Sequence, residues 1–148
     1  MPVNGPSGGT GGNSGDTDSD EGFLEPGTRV ARVVLSQDKS HEAVEGIQFT
    51  HVRQNGTLLD LPHHGGFGGA QQDFDLARNE HIVKLSGTYD KFVKSVTIET
   101  DNPAHQITIG FPVGAVYTYQ APTGFEIVGF YGRSGTLVDA IGVVLRAI

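Results

Sequence analysis

Ile127-Val128-Gly129-Phe130-Tyr131-Gly132-Arg133-Ser134-Gly135-Thr136-Leu137-Val138-Asp139-Ala140-Ile141-Gly142-Val143 sets two apolar runs on either side of a short, polar, glycine-bounded turn. Two earlier stretches repeat this plan. Val33-Val34-Leu35 leads through a polar loop to Gly46-Ile47-Gln48-Phe49, and Ile82-Val83-Lys84-Leu85 leads through another to Ser95-Val96-Thr97-Ile98. Ile47, Val96 and Ile141 therefore correspond, about 45 to 50 residues apart, a spacing typical of repeated supersecondary units. A second element also recurs: Gly8-Gly9-Thr10-Gly11-Gly12 is echoed by Gly65-Gly66-Phe67-Gly68-Gly69, each ahead of a strand-loop-strand unit.

Apolar residues fall at period two within 29–35, 46–52, 95–100 and 106–111, β-branched residues are common there, and Gly, Asn, Pro or Asp punctuates the runs. No helical stripe is found. The chain reads as all-β, with strands of about six residues. Three similar sheets around one axis would bury three apolar faces together and hide most strand edges.

A length of 148 residues suits one domain, 1–148, with residues 1–4 a candidate flexible start. Cysteine is absent, which excludes disulfides and cysteine-based zinc sites and fits a reducing compartment. The net charge of −7 argues against nucleic acid or an anionic membrane as partner. No apolar run approaches the roughly 20 residues that span a bilayer. Residues 1–20 are polar and glycine-rich, without the basic and apolar regions of a secretory signal. The expectation is a soluble, cytoplasmic protein with no membrane insertion, no metal and no cofactor; secretion would require a removed upstream segment.

The turn at 132–142 offers a candidate site. Backbone N–H groups at Thr136 and Leu137 precede one carboxylate, Asp139, and Gly135 frees the turn geometry. Fixed donors beside a fixed acceptor suit a small polyhydroxyl ligand, whose hydroxyls both donate and accept. Nothing in the loop supplies nucleophile, base and orienter together, so binding is favoured over catalysis.

The chain resembles the jacalin-related lectins of the mannose-binding type. The resemblance rests on Gly5-Pro6-Ser7-Gly8-Gly9-Thr10-Gly11-Gly12, the repeat at 65–69, His81-Ile82-Val83-Lys84-Leu85-Ser86-Gly87-Thr88-Tyr89, and Gly129-Phe130-Tyr131-Gly132-Arg133-Ser134-Gly135 running on to Asp139-Ala140-Ile141-Gly142. It covers nearly the whole chain, and the order of the glycine loops together with the closing segment makes it specific. It implies a β-prism (type I) of three four-stranded Greek-key sheets with pseudo-threefold symmetry, and sugar sites at one end. It also implies that the glycine-rich start is ordered and part of the site. Carried over, Gly12 donates its backbone N–H to a sugar, Thr136 and Leu137 do likewise, and Asp139 accepts from two adjacent hydroxyls.

Galactose-binding relatives carry aromatic residues in this loop and a cleaved chain with a free terminal glycine. Thr136, Leu137 and a continuous chain point instead to mannose- or glucose-containing glycans. A few exposed hydrogen bonds give a weak monovalent complex, on the order of millimolar. Useful avidity then calls for several sites or a homo-oligomer, a dimer or larger. At the place of Asp139 the repeat puts Glu45 in the first unit and Lys94 in the second. The cation, with no third double-glycine loop to face it, reads as silent. Glu42 and Glu45, with Gly69 as donor, form a candidate second carbohydrate site, although glutamate is one methylene longer than aspartate, which displaces the acceptor and alters its reach.

Other features carry weaker readings. Asp16-Thr17-Asp18-Ser19-Asp20-Glu21-Gly22 fails the calcium-loop pattern at positions six and twelve and reads as a solvated acidic turn. His63-His64 would point to opposite strand faces, so the histidines read as loop and strand-end residues. Arg133 reads either as a contact for a longer glycan or as a solubilising loop residue. Tyr89, Phe92, Tyr117 and Tyr119 read as face packing rather than an extended subsite. Ser7 stands where many lectins of this type have tryptophan, with Phe67 and Phe130 as candidates to fill the space. Two competing functions are a protein–protein assembly module with a vestigial sugar site, and a glycosidase pairing Asp139 with Glu126. The second needs two opposed carboxylates at defined separation.

Overall fold

The structure, a computed structural model, describes residues 3–9 and 17–148. Among them are thirteen strands: β1 (Val3–Gly8), β2 (Asp18–Ser19), β3 (Arg29–Asp38), β4 (Ala43–Val52), β5 (Leu58–Asp60), β6 (His64–Gly65), β7 (Ala70–Asp75), β8 (Ile82–Tyr89), β9 (Val93–Thr100), β10 (Gln106–Gly110), β11 (Ala115–Gln120), β12 (Phe125–Ser134) and β13 (Val138–Ala147). The one helical element among the described residues is a 3-10 turn, Glu21–Phe23.

Each of the three repeats is a long antiparallel hairpin, β3–β4, β8–β9 and β12–β13, flanked by two outer strands. The sheet orders are β5-β4-β3-β7, β10-β9-β8-β11 and β1-β13-β12-β2. In the first sheet the outer place along β4 is shared: β5 pairs with residues 50–52 and β6 with Gly46 and Ile47. That is the expected set of three four-stranded sheets, with one outer strand broken in two. In the last sheet both outer strands come from the start of the chain, so Val3 and Asn4 already pair with Val144 and Val143.

The alternating apolar residues of the three hairpins meet in one cluster. Val33, Leu35, Ile47 and Phe49 meet Ile82, Leu85, Val96 and Ile98, and both groups meet Ile127, Phe130, Ile141 and Val143, all at most 1% exposed. Burying each such side chain contributes about 1.5–3 kcal/mol. The three residues that set the repeat period, Ile47, Val96 and Ile141, are thus all buried in the shared core.

Several polar expectations are corrected by this packing. Asp20 is not on a solvated turn but fully buried. Its carboxylate accepts the Phe130 N–H at 2.8 Å and a bond from His64 Nε2 at 2.7 Å. The His64 ring stacks on Phe130 with centroids 4.2 Å apart. Strand β2 covers only Tyr131 and Gly132 of β12, so the Asp20 side chain satisfies the next donor, as a buried amide requires. His51 is likewise a mid-strand core residue, linked to Thr28 Oγ1 at 3.0 Å and to the Val128 carbonyl at 2.8 Å. Burial holds its pKa below the ordinary histidine value. The space by Ser7 is met by Tyr119, whose hydroxyl hydrogen-bonds Ser7 Oγ, whereas Phe130 stacks on His64 and Phe67 packs against His63.

Candidate functional site

The tips of the three hairpins converge at one end of the prism. Lys94 Nζ donates to the His41 carbonyl at 3.0 Å, joining the second tip to the first. The loop after β6 abuts the third tip, where a Cβ added to Gly66 would lie 3.0 Å from the Thr136 carbonyl. At Gly9 a Cβ would come within 2.0 Å of the Lys91 carbonyl, so only glycine lets the first loop pass the second tip.

Beside each tip a passing segment is anchored in the same way. Gly8, Gly65 and Gly110, all with positive φ, stand opposite Ala140, Gly46 and Ser95. The next residue donates its N–H in every case: Gly9 to the Asp139 carbonyl at 2.9 Å, Gly66 to that of Glu45 at 3.0 Å, and Phe111 to that of Lys94 at 2.8 Å. The register makes Asp139, Glu45 and Lys94 equivalent, as the sequence repeat implied. The second unit lacks the double glycine, yet Gly114 keeps a positive φ three residues after Phe111.

At the third tip, Gly135 donates its N–H to the Leu137 carbonyl at 2.9 Å. That turn uses the carbonyl of Leu137, not its N–H. Thr136 is exposed, while Leu137 tucks its side chain inward at 5% exposure. Asp139, two residues on in β13, is 6% exposed. Desolvation pushes its pKa above the ordinary aspartate value, opposed by the Arg133 charge and by the Gly135 N–H. Arg133 also donates from Nε and Nη2 to the Gly9 carbonyl, at 3.2 and 3.0 Å. One guanidinium thus holds Gly9 and partly offsets the desolvation of the carboxylate. Gly135, Thr136, Leu137 and Asp139 are together in one corner with Gly9; Gly12 lies outside the described residues.

The first corner differs by one methylene. Glu45 Oε1 accepts from Ser36 Oγ at 2.8 Å and from the Gly69 N–H at 2.6 Å. The residues paired by sequence are together, but the carboxylate occupies the donor itself. Glu42 is exposed, with φ at 49°. A depression of about 540 Å³ lined by Gln37, Asp38, Lys39, Ser40, Glu45 and Gly69 remains beside them. In the second corner Lys94 faces Asp90 at 3.8 Å.

The glycosidase pairing fails on distance. Glu126 stands opposite Arg146 near the far end of β13 and contacts His81 at 3.1 Å. Seven residues of extended strand separate Arg146 from Asp139, roughly 23 Å at strand rise, against the ~5–9.5 Å that glycosidase carboxylates require. The tyrosines pack on one another, Tyr117 lying 6.3 Å from Tyr89 and 5.9 Å from Tyr119 between ring centroids. Sequence reasoning missed Arg133 as an anchor, because its partner lies 124 residues away.

The family model described as Jacalin-like lectin domain matches residues 4–144. The chain belongs to this family. Among relatives of this jacalin-like lectin domain, Myrosinase-binding protein 2 of Arabidopsis thaliana is 32% identical over 139 residues, 93% of the chain. The chain spans only 19% of that protein's length. Horcolin of Hordeum vulgare subsp. vulgare is 32% identical over 148 residues, with 93% of this chain and 92% of horcolin covered. Among solved structures, the Calsepa lectin in complex with a biantennary N-glycan superposes with a TM-score of 0.80 at 27% identity, covering 99% of this chain and 97% of that one. AcmJRL, a mannose-binding jacalin-related lectin from Ananas comosus, superposes at 0.78 with 25% identity, covering 99% and 98%. The β-prism is the fold these lectins share.

Proposed function

We propose that this lectin domain binds mannose- or glucose-type sugars at the third corner, with Asp139 as acceptor and the N–H groups of Gly12, Thr136 and Leu137 as donors. The observation that carries the reading is the corner itself: Arg133 and the Asp139 backbone hold Gly9 beside a largely buried carboxylate. Such a carboxylate accepts strong hydrogen bonds from hydroxyls. The repeat supports the choice of Gly12. Gly69, three residues past Gly66, brings its N–H to the equivalent carboxylate, and Gly12 stands three residues past Gly9.

The turn residues Thr136 and Leu137 offer no aromatic face for a galactose ring, and relatives of known binding favour the same side. The Ananas comosus lectin is mannose-binding, and the Calsepa complex holds an N-glycan. In the first corner the Glu45 carboxylate takes the Gly69 donor, so one working site per chain is the reading. Avidity then comes from homo-oligomers.

The test is calorimetric titration with methyl-α-mannoside and methyl-α-galactoside. Mannoside binding at a stoichiometry of one, abolished in a folded Asp139→Ala variant, is the expected result. Unchanged binding in that variant would remove the assignment. No binding of any monosaccharide would favour the assembly-module reading, for which the myrosinase-binding relative is the precedent.

A further inference from the structure

The pole opposite the hairpin tips carries a cationic groove on an otherwise acidic molecule. Gly27, Arg29, Val52, Arg53, Gln54, Gly56 and Arg78 line a space of about 360 Å³ where β3 begins and β4 ends. Three of the chain's ten basic residues thus converge on one groove, against a net charge of −7. We propose that this groove is a second ligand site, for a tetrahedral oxyanion carried as a phosphate or sulfate monoester.

The charges in the groove are unequally compensated. Arg53 is already paired: Nε and Nη2 bond both oxygens of Glu25 at 2.9 and 3.1 Å. Glu25 lines the continuation of the groove, while Glu80 and Asp101 line a neighbouring depression that Arg78 borders. Neither Arg29 nor Arg78 forms an ion pair among the described residues, which leaves two uncompensated guanidinium groups. Arg29 is partly buried, and its Nη1 is shielded from solvent with no hydrogen-bond partner among the described residues. A desolvated donor without an acceptor is unfavourable, and more so when it is charged. An anion on the open edge of the Arg29 fork offsets that charge, with Arg78 closing from the rim.

The chemistry of the lining selects the anion. Planar guanidinium forks match two oxygens of a tetrahedral oxyanion at once, which chloride cannot offer. Gln54 adds an amide lying over Gly27, where a Cβ would be 3.2 Å from Nε2. Gly56 has positive φ and open space around it, so backbone at the rim leaves room for an ester substituent. Two uncompensated arginines make a point site rather than the long basic stripe a nucleic acid requires. The groove lies roughly 30 Å from the tips along a ten-residue strand, so it acts separately from the sugar corner.

NMR titration of the full chain with sodium phosphate and with sodium sulfate, at low ionic strength, tests the proposal. The Gly27 and Gly56 amides should shift saturably, with Kd on the order of 1–10 mM, while the Gly135 and Leu137 amides stay still. Arg78→Gln, an exposed change, should weaken binding about fivefold or more, and Arg29→Gln should abolish it. Glu25→Gln should tighten binding about two- to fivefold, because it releases Arg53, a gain that loss of structure cannot mimic. A response to one anion alone assigns the site to that ester. Equal shifts with sodium chloride at matched ionic strength, or phosphate affinity unchanged in both Arg78→Gln and Glu25→Gln, would overturn the proposal. Should Arg29→Gln fail to fold, those two variants decide.

Discussion

Replacing Arg133 by glutamine separates the two services its guanidinium performs. The fork donates twice to the Gly9 carbonyl, and its charge is the largest influence pulling the Asp139 pKa down against desolvation. A charge-assisted bond to a neutral carbonyl is worth about 1.5–3 kcal/mol net when buried; Arg133 is partly exposed, so about 1–1.5 kcal/mol is reasonable after screening. Loosening the glycine loop by that amount lowers mannoside affinity about five- to tenfold. Losing the charge lifts the Asp139 pKa further. With the ionised Asp139 carboxylate as the proposed sugar acceptor, affinity should fall as pH drops through that pKa, and the acid limb of the profile should move to higher pH. Calorimetry with methyl-α-mannoside over an acid-to-neutral series measures both effects. Arg133→Lys should keep the acid limb in place, because the charge remains, while recovering only part of the affinity. If Arg133→Gln bound mannoside with unchanged affinity and an unchanged acid limb, the anchoring role would be refuted.

Three other outcomes follow from the same geometry. Asp139→Asn should abolish mannoside binding without lowering thermal stability at neutral pH: a carboxyl whose folded pKa is raised binds its proton more tightly in the fold, so stability falls as pH rises through the window above the unfolded value, and above it the charge is a net cost. Thermal unfolding of both proteins at neutral pH checks this, and a large loss of Tm would contradict it. Glu45→Asp should release the Gly69 N–H and raise the mannoside stoichiometry above one, at the cost of the 2.6 and 2.8 Å bonds; a stoichiometry still at one would show that the methylene is not what closes this corner. Asp20→Ala should cost about 3–5 kcal/mol, since it strands the Phe130 N–H and His64 in the core, and denaturant titration would expose the error if the loss were below about 1 kcal/mol.

The architecture was largely legible, because it is written in local pattern. Period-two alternation gave the strands, and Ile47, Val96 and Ile141 gave the three sheets before any pairing was visible. The turn at 135–137 and Asp139 were legible for the same reason: they are neighbours in sequence. What escaped depends on partners far along the chain. Asp20 looked like one more solvated acid, yet Phe130 is 110 residues away and supplies the amide that draws its carboxylate inside. Arg133 looked like a surface residue until Gly9 came to lie beneath it. The split between β5 and β6 left no signal either, since both segments are too short for alternation to show.

The pseudo-symmetry explains why equal backbones give unequal corners. All three tips share a positive-φ glycine and an N–H donated to the carbonyl of the residue at the Asp139 place, so the same backbone frame is built three times. The side chain on that residue then decides. Lys94 brings a cation that bonds the His41 carbonyl and offers a hydroxyl no acceptor. Glu45 brings an acceptor long enough to reach the loop amide itself, so the donor and acceptor satisfy each other. Asp139 is one methylene shorter, and the neighbouring guanidinium goes to the loop carbonyl instead. Among the described residues the Asp139 carboxylate therefore does not repeat the closed contact that Glu45 makes within its own corner, and this difference is what the proposed sugar site at the third corner builds on.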